Sequence, residues 1–263
     1  MKVSGKTIWI TGASSGIGEA LAYALARAGA RLILSSRNEA ELSRVKNACA
    51  SPTLHAVEPI DLSQLNGLET KAQGVWDLYG PVDILINNAG VSQRYLALDS
   101  SLELDRKIMD VNFYGTVALT RPILKNMAAR KSGQIVVIAS VLGLYGMQTR
   151  TTYAASKHAL RGYFQSLRNE LFGTALTITL IYPGYVTTKV SENALTADGK
   201  THGKTDVGHA KGISPKSCAE SILKAIEKNK AEVVIAGPKE ALGVYVARWF
   251  PALFRAVSAR INV

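Results

Sequence analysis

The chain has 263 residues, with 31 Lys and Arg against 20 Asp and Glu, and a formal net charge of +11. A hydrophobic fraction of 47% with 19% charged residues excludes a disordered or fibrous chain, and this length predicts one domain with a full core. Two cysteines cannot form a disulfide framework, and neither a signal peptide nor an apolar stretch of about 18 residues is found, so we expect a cytoplasmic protein.

The basic residues are spread along the whole chain rather than gathered in one stripe. No run of like charge is longer than two residues, as at Arg130-Lys131. Nucleic-acid-binding proteins usually concentrate Lys and Arg on one surface, so we expect no nucleic-acid partner. A solvated basic surface is the simplest explanation of the charge, and anionic substrates or an acidic membrane surface are the alternatives.

Short β-rich runs alternate with longer segments of helical spacing. The predicted strands are, in chain order, Thr7–Thr11, Arg31–Ser35, Leu54–Ile60, Val82–Asn87, Gln134–Ser140, Leu176–Tyr182 and Glu232–Ala236. Several are apolar on nearly every residue, as is typical of strands covered on both faces. The alternation predicts an α/β, doubly wound (Rossmann) fold: a seven-stranded, mainly parallel sheet with helices on both faces, in a single domain over residues 1–263.

The first predicted strand leads through a glycine-rich turn directly into a helix. The turn has the spacing Gly-x-x-x-Gly-x-Gly. Residues without a Cβ let a pyrophosphate approach the backbone, and the helix N-terminus offers free N–H groups and a positive dipole end. A structural turn uses the same glycines. The phosphate interpretation predicts that a dinucleotide binds at Gly12, Ser14, Ser15, Gly16, Ile17 and Gly18.

Further motifs follow in a fixed order and give a family resemblance. After Thr11-Gly12 and its turn come Asn87-Asn88-Ala89-Gly90, Asn112, Ser140, Tyr153 with Lys157, and Pro183-Gly184. This ordered set, from about Thr7 to Thr188, resembles the shorter, single-domain branch of the short-chain dehydrogenase/reductase family. Residues 193–199 and the C-terminal tail look similar to the 7B-type dehydrogenase/reductases of that family.

Tyr153 and Lys157 share one face of a predicted helix because they are four residues apart. A nearby ammonium lowers the pKa of a phenol toward the range useful for acid–base catalysis, although an isolated pair of this kind is often a surface pair. The resemblance implies that Tyr153 exchanges a proton with the substrate oxygen, which Ser140 holds. It also implies that Lys157 lowers the tyrosine pKa and binds the nicotinamide ribose, and that Asn112 positions a water linking Lys157 to solvent.

The tip of the second predicted strand indicates the choice of cofactor. In this fold the tip meets the adenosine ribose, where a carboxylate favours NAD. Ser35-Ser36-Arg37 has no acid before Glu39, and Arg37 offers a planar donor fork to a 2′-phosphate. We therefore predict NADP, with Ser36 and Arg37 in the site. A surface arginine is the alternative, and Ser15 stands where NADP-dependent relatives often carry a basic residue.

The resemblance assigns the remaining cofactor contacts. Asp61 matches the residue that contacts the adenine amine, although it also suits the cap of the next helix. The other matching positions are Asn88, Ala89 and Gly90 after the fourth strand, Tyr153 and Lys157, and Pro183, Gly184, Val186 and Thr188 near the nicotinamide carboxamide. No metal site is predicted.

The predicted substrate site consists of Ser140, Leu142, Tyr145, Met147, Tyr153 and Tyr185, with residues 189–212 as a long loop or mobile lid. Its mostly apolar or aromatic lining favours a hydrophobic or lipid-like carbonyl, although some of these residues also suit the core. The predicted function is an NADP(H)-dependent oxidoreductase that interconverts a ketone and a secondary alcohol. The alternatives are an NADP-binding redox sensor and an epimerase or dehydratase that uses the same Tyr–Lys pair.

Residues 239–263 form an amphipathic C-terminal segment. Its apolar residues recur at helical spacing with arginines beside them, at Leu242, Val246, Trp249, Leu253 and Val257. The pattern suits a membrane interface, a subunit interface and burial on the domain equally. Peripheral membrane contact therefore stays open, and the family resemblance implies a homodimer or homotetramer.

Overall fold

The computed structural model describes residues 2–260, except for the side chains of residues 207 and 209. The strands in this range are β1 (Thr7–Thr11), β2 (Arg31–Ser35), β3 (Ala56–Val57), β4 (Ile84–Asn87), β5 (Gly133–Ile138), β6 (Leu176–Pro183) and β7 (Glu232–Ile235). The helices in it are α1 (Gly16–Arg27), α2 (Glu39–Ala48), α3 (Leu68–Tyr79), α4 (Leu102–Met109), α5 (Gly115–Ala129), α6 (Thr151–Glu170), α7 (Val207–Ala210), α8 (Pro215–Glu227), α9 (Pro238–Trp249) and α10 (Pro251–Ser258).

The strands form one sheet in the order β3-β2-β1-β4-β5-β6-β7, and every neighbouring pair is parallel. Apolar side chains of α1, α2 and α8 cover one face, and those of α3, α5 and α6 cover the other. This arrangement confirms the predicted doubly wound fold. The strand order reverses between β1 and β4, and ligands of such sheets bind at the carboxyl ends of the strands beside this point.

The central strands are buried because helices cover both of their faces. Ile8, Trp9 and Ile10 of β1 are fully buried. The indole N–H of Trp9 donates to Ser35 Oγ at 2.8 Å, so its polar group has a partner inside the core. The predicted bounds of β1 and β2 agree with the structure.

The third predicted strand, Leu54–Ile60, is wrong in length. Only Ala56–Val57 is in regular parallel register, with Ile33 and Leu34 of β2, although the N–H groups of Glu58 and Ile60 still donate to Leu34 O and Ser36 O, each at 2.9 Å. Residues Pro52–Leu54 form a 3-10 turn in place of the predicted start of the strand. The ends of β4 to β7 differ from the predicted ends by one or two residues.

The C-terminal segment is a pair of helices rather than one continuous helix. The break falls at Phe250, because Pro251 lacks an N–H and disfavours helical geometry in the residue before it. More than half of the surface of each of these side chains is exposed: Leu242, Tyr245, Trp249, Phe250, Leu253 and Val257. Burial on the domain is therefore wrong for this face. No helix within residues 2–260 is long and apolar enough to cross a bilayer, and residues 261–263 of the segment lie outside the described range.

The predicted loop at residues 189–212 is largely irregular chain and contains the short helix α7. Isolated bridges join Leu195 to Gln93 and to Thr201. Ser191 and Ala194 are fully buried, so the segment is packed against the rest of the domain.

Candidate active site

The glycine-rich turn lies at the carboxyl end of β1 and opens into α1. Gly12 and Gly16 have left-handed φ angles of 65° and 59°, which favour glycine. A Cβ on Gly18 would lie 2.1 Å from Gly12 O, and one on Gly12 would lie 2.8 Å from Ala89 Cα. Ser14, Ser15 and Ile17 complete the turn. The bare backbone at the start of a helix fits a dinucleotide pyrophosphate, as the sequence predicts.

The loop after β4 is hydrogen-bonded to this turn. Asn88 Nδ2 donates to Thr11 O at 3.0 Å and to Gly12 O at 3.1 Å. The main-chain N–H groups of Asn88 and Ala89 both donate to Thr11 Oγ1. A Cβ on Gly90 would lie 3.1 Å from Asn112 Oδ1 and 3.4 Å from Lys157 Nζ, so this loop joins the phosphate side of the site to the catalytic candidates.

The residues predicted to bind the adenosine ribose and its 2′-phosphate lie at the carboxyl end of β2. Arg37 is exposed and makes no ion pair within the described part of the chain, so its guanidinium is open to a ligand. Ser36 Oγ accepts from Asn38 N at 3.3 Å. Asp61 Oδ1 accepts from the N–H and hydroxyl of Ser63, which closes a local turn. The alternative that Asp61 caps the next helix is wrong, because α3 begins only at Leu68 with Gly67 at its N-cap position. Adenine contact stays a proposal for the other carboxylate oxygen.

Sequence reasoning missed Arg44 on α2. Its guanidinium binds Glu19 of α1 at 2.8 Å and donates to Ser14 O at 3.4 Å. The contact holds α2 against the glycine-rich turn. An arginine that is paired through the fold with a residue 30 positions away gives no signal in a local pattern.

Ser140 follows β5 and begins a 3-10 turn at Val141–Gly143. Its Oγ accepts from Leu142 N at 3.1 Å, and its hydroxyl is close enough to Tyr153 to act on the pKa of that phenol. A Cβ on Gly143 would lie 2.8 Å from Lys157 O. The turn thus packs directly against α6, and this contact fixes Ser140 relative to Tyr153 and Lys157.

Tyr153 and Lys157 lie one turn apart on α6, with Lys157 Nζ 5.7 Å from the centre of the tyrosine ring. Lys157 is buried and donates to Ile138 O at 3.2 Å, and burial lowers its pKa to about 8. Burial also raises the pKa of Tyr153, whereas the nearby Ser140 hydroxyl acts in the opposite direction. Burial therefore opposes the lowering of the tyrosine pKa that the sequence predicts from Lys157 and an oxidised nicotinamide, and that lowering stays a prediction.

Two arginines that the sequence analysis did not single out stand near Tyr153. Arg94 and Arg150 both bind Asp206 Oδ2, at 2.6 Å and 3.1 Å, and both act to lower the pKa of Tyr153. Burial lowers the pKa of Arg150 to about 10, and the neighbouring Arg94 adds to this. The three residues come from separate parts of the chain, so no spacing pattern indicates the cluster.

Asn112 is fully buried between α4 and α5, in a π-helical turn at Asp110–Tyr114 rather than in ordinary helix. Its Nδ2 donates to Val91 O and Ser156 Oγ, each at 3.0 Å, and its Oδ1 accepts from Val91 N at 2.8 Å. The side chain therefore joins the loop after β4 to α6. Its predicted link to a water molecule stays a prediction.

The residues after β6 close the other side of the site. A Cβ on Gly184 would lie 2.7 Å from Ala236 Cβ, so the chain passes β7 closely after Pro183. Val186 is buried and pairs with Ile213 in an isolated bridge. Thr188 Cγ2 lies 3.2 Å from the position of a Cβ on Gly16, which places Thr188 beside the glycine-rich turn.

The predicted substrate residues Leu142, Tyr145, Met147 and Tyr185 are all half-buried. The Tyr145 ring packs on Phe254 of α10 at 5.0 Å, and burial raises the pKa of Tyr145 to about 12. A Cβ on Gly208 would lie 2.7 Å from the Tyr185 ring, so α7 lies against this tyrosine. The 189–212 segment and the C-terminal helices thus both adjoin the predicted pocket.

The fold and the site define a dinucleotide-binding protein with a Ser–Tyr–Lys group at the strand ends. The family model "short chain dehydrogenase" matches residues 6–199. A dehydrogenase/reductase SDR family protein 7-like of Anopheles gambiae is 44% identical over 89% of this chain and 76% of its own length. Dehydrogenase/reductase SDR family member 7B of Bos taurus is 40% identical over 96% of this chain and 80% of its own length.

Solved structures agree with this assignment at the level of the fold. A short-chain dehydrogenase/reductase from Burkholderia phymatum, solved in complex with NAD, superposes with a TM-score of 0.83 at 22% identity over 96% of both chains. The chain belongs to the short-chain dehydrogenase family, whose members are NAD- or NADP-dependent oxidoreductases. The predicted resemblance, including that to the 7B type, is confirmed.

Proposed function

We propose that the protein is an NADP(H)-dependent oxidoreductase that interconverts a ketone and a secondary alcohol, with reduction of a hydrophobic or lipid-like carbonyl as its main reaction. The observation that carries the proposal is the grouping of Ser140, Tyr153 and Lys157 beside a turn that fits a pyrophosphate. NADPH supplies the hydride when bound. The chain supplies the proton, the orientation and the electrostatic environment.

Each side chain of the group has a distinct role in the proposed reaction. Ser140 donates a hydrogen bond to the substrate carbonyl and polarises it, while Tyr153 gives its phenolic proton to the same oxygen. Lys157 holds the nicotinamide ribose and stabilises the phenolate that remains on Tyr153. Asn112 keeps the loop after β4 beside Lys157, which supports its proposed link to solvent.

The preference for NADP rests on Arg37. An exposed guanidinium at the end of β2 suits a 2′-phosphate through paired N–H donors, and β2 ends in serines rather than in a carboxylate. Ser36 adds a hydroxyl on the same side. Ser14 and Ser15 complete the proposed phosphate site at the start of α1.

The proposed substrate class rests on the lining of the pocket. Leu142, Tyr145, Met147 and Tyr185 are half-buried and mainly apolar, and we infer that they line the substrate pocket. Such a lining favours an apolar ketone, because a sugar would leave several hydroxyls without partners. A redox sensor is disfavoured because the proposed proton donor and its partners are all present.

We expect purified protein to oxidise NADPH in the presence of hydrophobic ketones, and Arg37→Ala to raise the KM for NADPH at least about tenfold. Loss of a charge-assisted pair to the 2′-phosphate costs about 1.5–3 kcal/mol, whereas NADH lacks this phosphate and its KM should hardly change. Initial rates are measured with both cofactors over a panel of sugars, steroids, acyl-chain ketones and aromatic diketones.

The matched control is Arg31→Ala, which removes an exposed arginine from the opposite end of β2. An equal loss for NADPH and NADH in Arg37→Ala would show that the phosphate is read elsewhere. No turnover with any ketone, together with tight NADPH binding, would favour a sensor.

We also propose that the chain forms a homodimer or homotetramer, and that it is cytoplasmic with peripheral membrane contact through α9 and α10. The family resemblance supports the assembly. The exposed apolar face of the two helices, with Arg248 and Arg255 beside it, supports the membrane contact. Apolar insertion combined with attraction to anionic headgroups is typical of interfacial helices.

Trp249→Ser/Leu253→Ser is expected to reduce binding to phosphatidylglycerol-containing vesicles at least about tenfold, because two large apolar side chains leave the interface. Co-sedimentation is compared with phosphatidylcholine vesicles and at raised salt, which should both weaken binding of the wild type. Leu78→Ser, on the exposed side of α3, is the control. Absent vesicle binding, with a lower oligomeric mass in the double variant, would assign this face to a subunit interface.

A further inference from the structure

The loop after β4 contains a glutamine that is completely shielded from solvent. Gln93 is 0% exposed. Its Oε1 accepts from the main-chain N–H of Tyr153 at 3.0 Å, and its Nε2 donates to Thr151 Oγ1 at 2.9 Å. Both partners lie in the first turn of α6.

The first turn of α6 needs such a partner. The first four N–H groups of a helix have no acceptor within it, and Arg150, at the N-cap position, gives no side-chain cap. Gln93 supplies the acceptor from a position 60 residues earlier in the chain. The N-terminus of α6, the helix that carries Tyr153 and Lys157, is therefore capped by the loop after β4 rather than by the residue at its own N-cap position.

This cap acts on the main chain of the residue whose phenol lies near Ser140. The backbone of Tyr153 is held by Gln93, and the Ser140 hydroxyl acts to lower the pKa of its phenol. One turn later, Lys157 is fixed by Ile138 O. A shift of about 1 Å in a reacting group can cost about 100-fold in rate. A contact that fixes the position of the Tyr153 main chain therefore affects catalysis without touching the substrate.

The main chain on both sides of Gln93 holds the 189–212 segment. Leu195 N donates to Ser92 O at 2.9 Å, and Arg94 N donates to Leu195 O at 2.8 Å. The Arg94 guanidinium binds Asp206, which also binds Arg150 at the start of α6. The Ser92–Arg94 stretch therefore lies between the proposed substrate segment and the helix that carries Tyr153.

We propose that Gln93 is a positioning residue for the proposed reaction. Its buried amide sets the first turn of α6 so that the Tyr153 hydroxyl meets the substrate oxygen, and the adjoining main chain ties that placement to the 189–212 segment. The proposal rests on the proposed function, in which Tyr153 transfers the proton. Gln93 itself acts only through α6.

Gln93→Leu keeps the approximate volume of the side chain and removes its acceptor and donors. We expect kcat for the best ketone of the panel to fall about 30-fold, since Tyr153 loses its alignment, while NADPH affinity stays within about twofold. In alcohol oxidation, which needs the phenolate, the rise of the rate with pH should move to higher pH, because Tyr153 moves away from the Ser140 hydroxyl that lowers its pKa. Gln93→Glu retains an acceptor for the Tyr153 N–H and is expected to restore most of kcat.

The variant leaves every charged group around Tyr153 in place. These groups are Arg94 after β4, Arg150 before α6, Lys157 on α6 and Asp206 before α7. A shifted pH profile would therefore report the position of Tyr153 rather than a lost charge. Gln134→Leu is the matched control. Gln134 is equally buried but lies at the start of β5, at the amino-terminal ends of the strands and away from the proposed site.

Amide hydrogen exchange of Tyr153 tests the cap independently of turnover. We expect Gln93→Leu to accelerate this exchange at least about tenfold and Gln134→Leu to leave it unchanged. Unchanged exchange would overturn the proposal, as would a parallel loss of NADPH affinity and kcat with an unmoved pH profile, which indicates a purely structural role. Faster exchange without any wild-type turnover would support the cap and overturn the proposed function.

Discussion

Tyr153→Phe is expected to lower ketone reduction by about 10³-fold or more while NADPH affinity stays within about threefold. General acid catalysis typically contributes about 10²–10⁴-fold, and phenylalanine has no proton to give to the substrate oxygen. The ring remains in its place on α6, so the cofactor side of the site is preserved. Stopped-flow hydride transfer and a fluorescence titration with NADPH measure the two quantities separately.

The pH dependence of the wild-type reduction and oxidation rates tests the same proton transfer by Tyr153. Burial raises the pKa of Tyr153, so the phenol is protonated at neutral pH and its deprotonation should lower reduction when the pH rises past that pKa, above the pKa of about 8 at which Lys157 loses its charge. Oxidation of the alcohol should increase over the same range. Tyr163→Phe, on the same helix but packed against Phe113 and Phe164, is the control. Retained reduction in Tyr153→Phe would remove this tyrosine from the proton transfer.

Gly18→Ala is expected to weaken NADPH binding about 100-fold. The added Cβ would lie 2.1 Å from Gly12 O and 2.6 Å from Asn88 Nδ2, and neither backbone nor the bonded amide can move without opening the glycine-rich turn. Overpacking of this kind costs about 1–3 kcal/mol, and about 2.7 kcal/mol corresponds to 100-fold in affinity. Calorimetric titration measures the affinity, and thermal unfolding measures the accompanying loss of stability.

Gly74→Ala is the matched control for this substitution. Gly74 lies inside α3 with no atom within 4 Å of its added Cβ. Alanine there should stabilise the fold by about 0.5–1 kcal/mol and leave NADPH affinity unchanged. If Gly18→Ala binds NADPH as tightly as the wild type, the glycine-rich turn is not the phosphate site.

The strands were predictable from the sequence to within two residues at each end, except for β3. β1 and β2 match their predicted bounds because runs such as Thr7–Thr11 are buried on both faces. The edge strand β3 has β2 as its one neighbour, and only Ala56–Val57 stay in regular register with it, although Glu58 and Ile60 still donate to β2. An apolar run cannot show how many partners a strand will have.

The residues of the candidate site were predictable where they belong to short sequence motifs. The glycine-rich turn, Asn88, Ser140, Tyr153 and Lys157 all lie at the same end of the sheet, as their order along the chain predicts. The electrostatics were not predictable, because they depend on burial and on contacts between distant parts of the chain. Arg94 and Arg150 meet at Asp206, and Gln93 reaches α6, only after the chain has folded.

The π-helical turn at Asp110–Tyr114 has a consequence for how the chain tolerates changes in length. A π turn contains one residue more than the α-helical turn it replaces, so a single deletion here would close the wide turn into an ordinary α-helical one. Asn112 would then lose Val91 and Ser156, or Gly115 would leave its close contact with Leu62 O. Surface loops absorb insertions and deletions readily. This helical turn cannot lose a residue without losing one of these contacts. The number of residues in the turn therefore contributes to the geometry of the active site, as its side chains do.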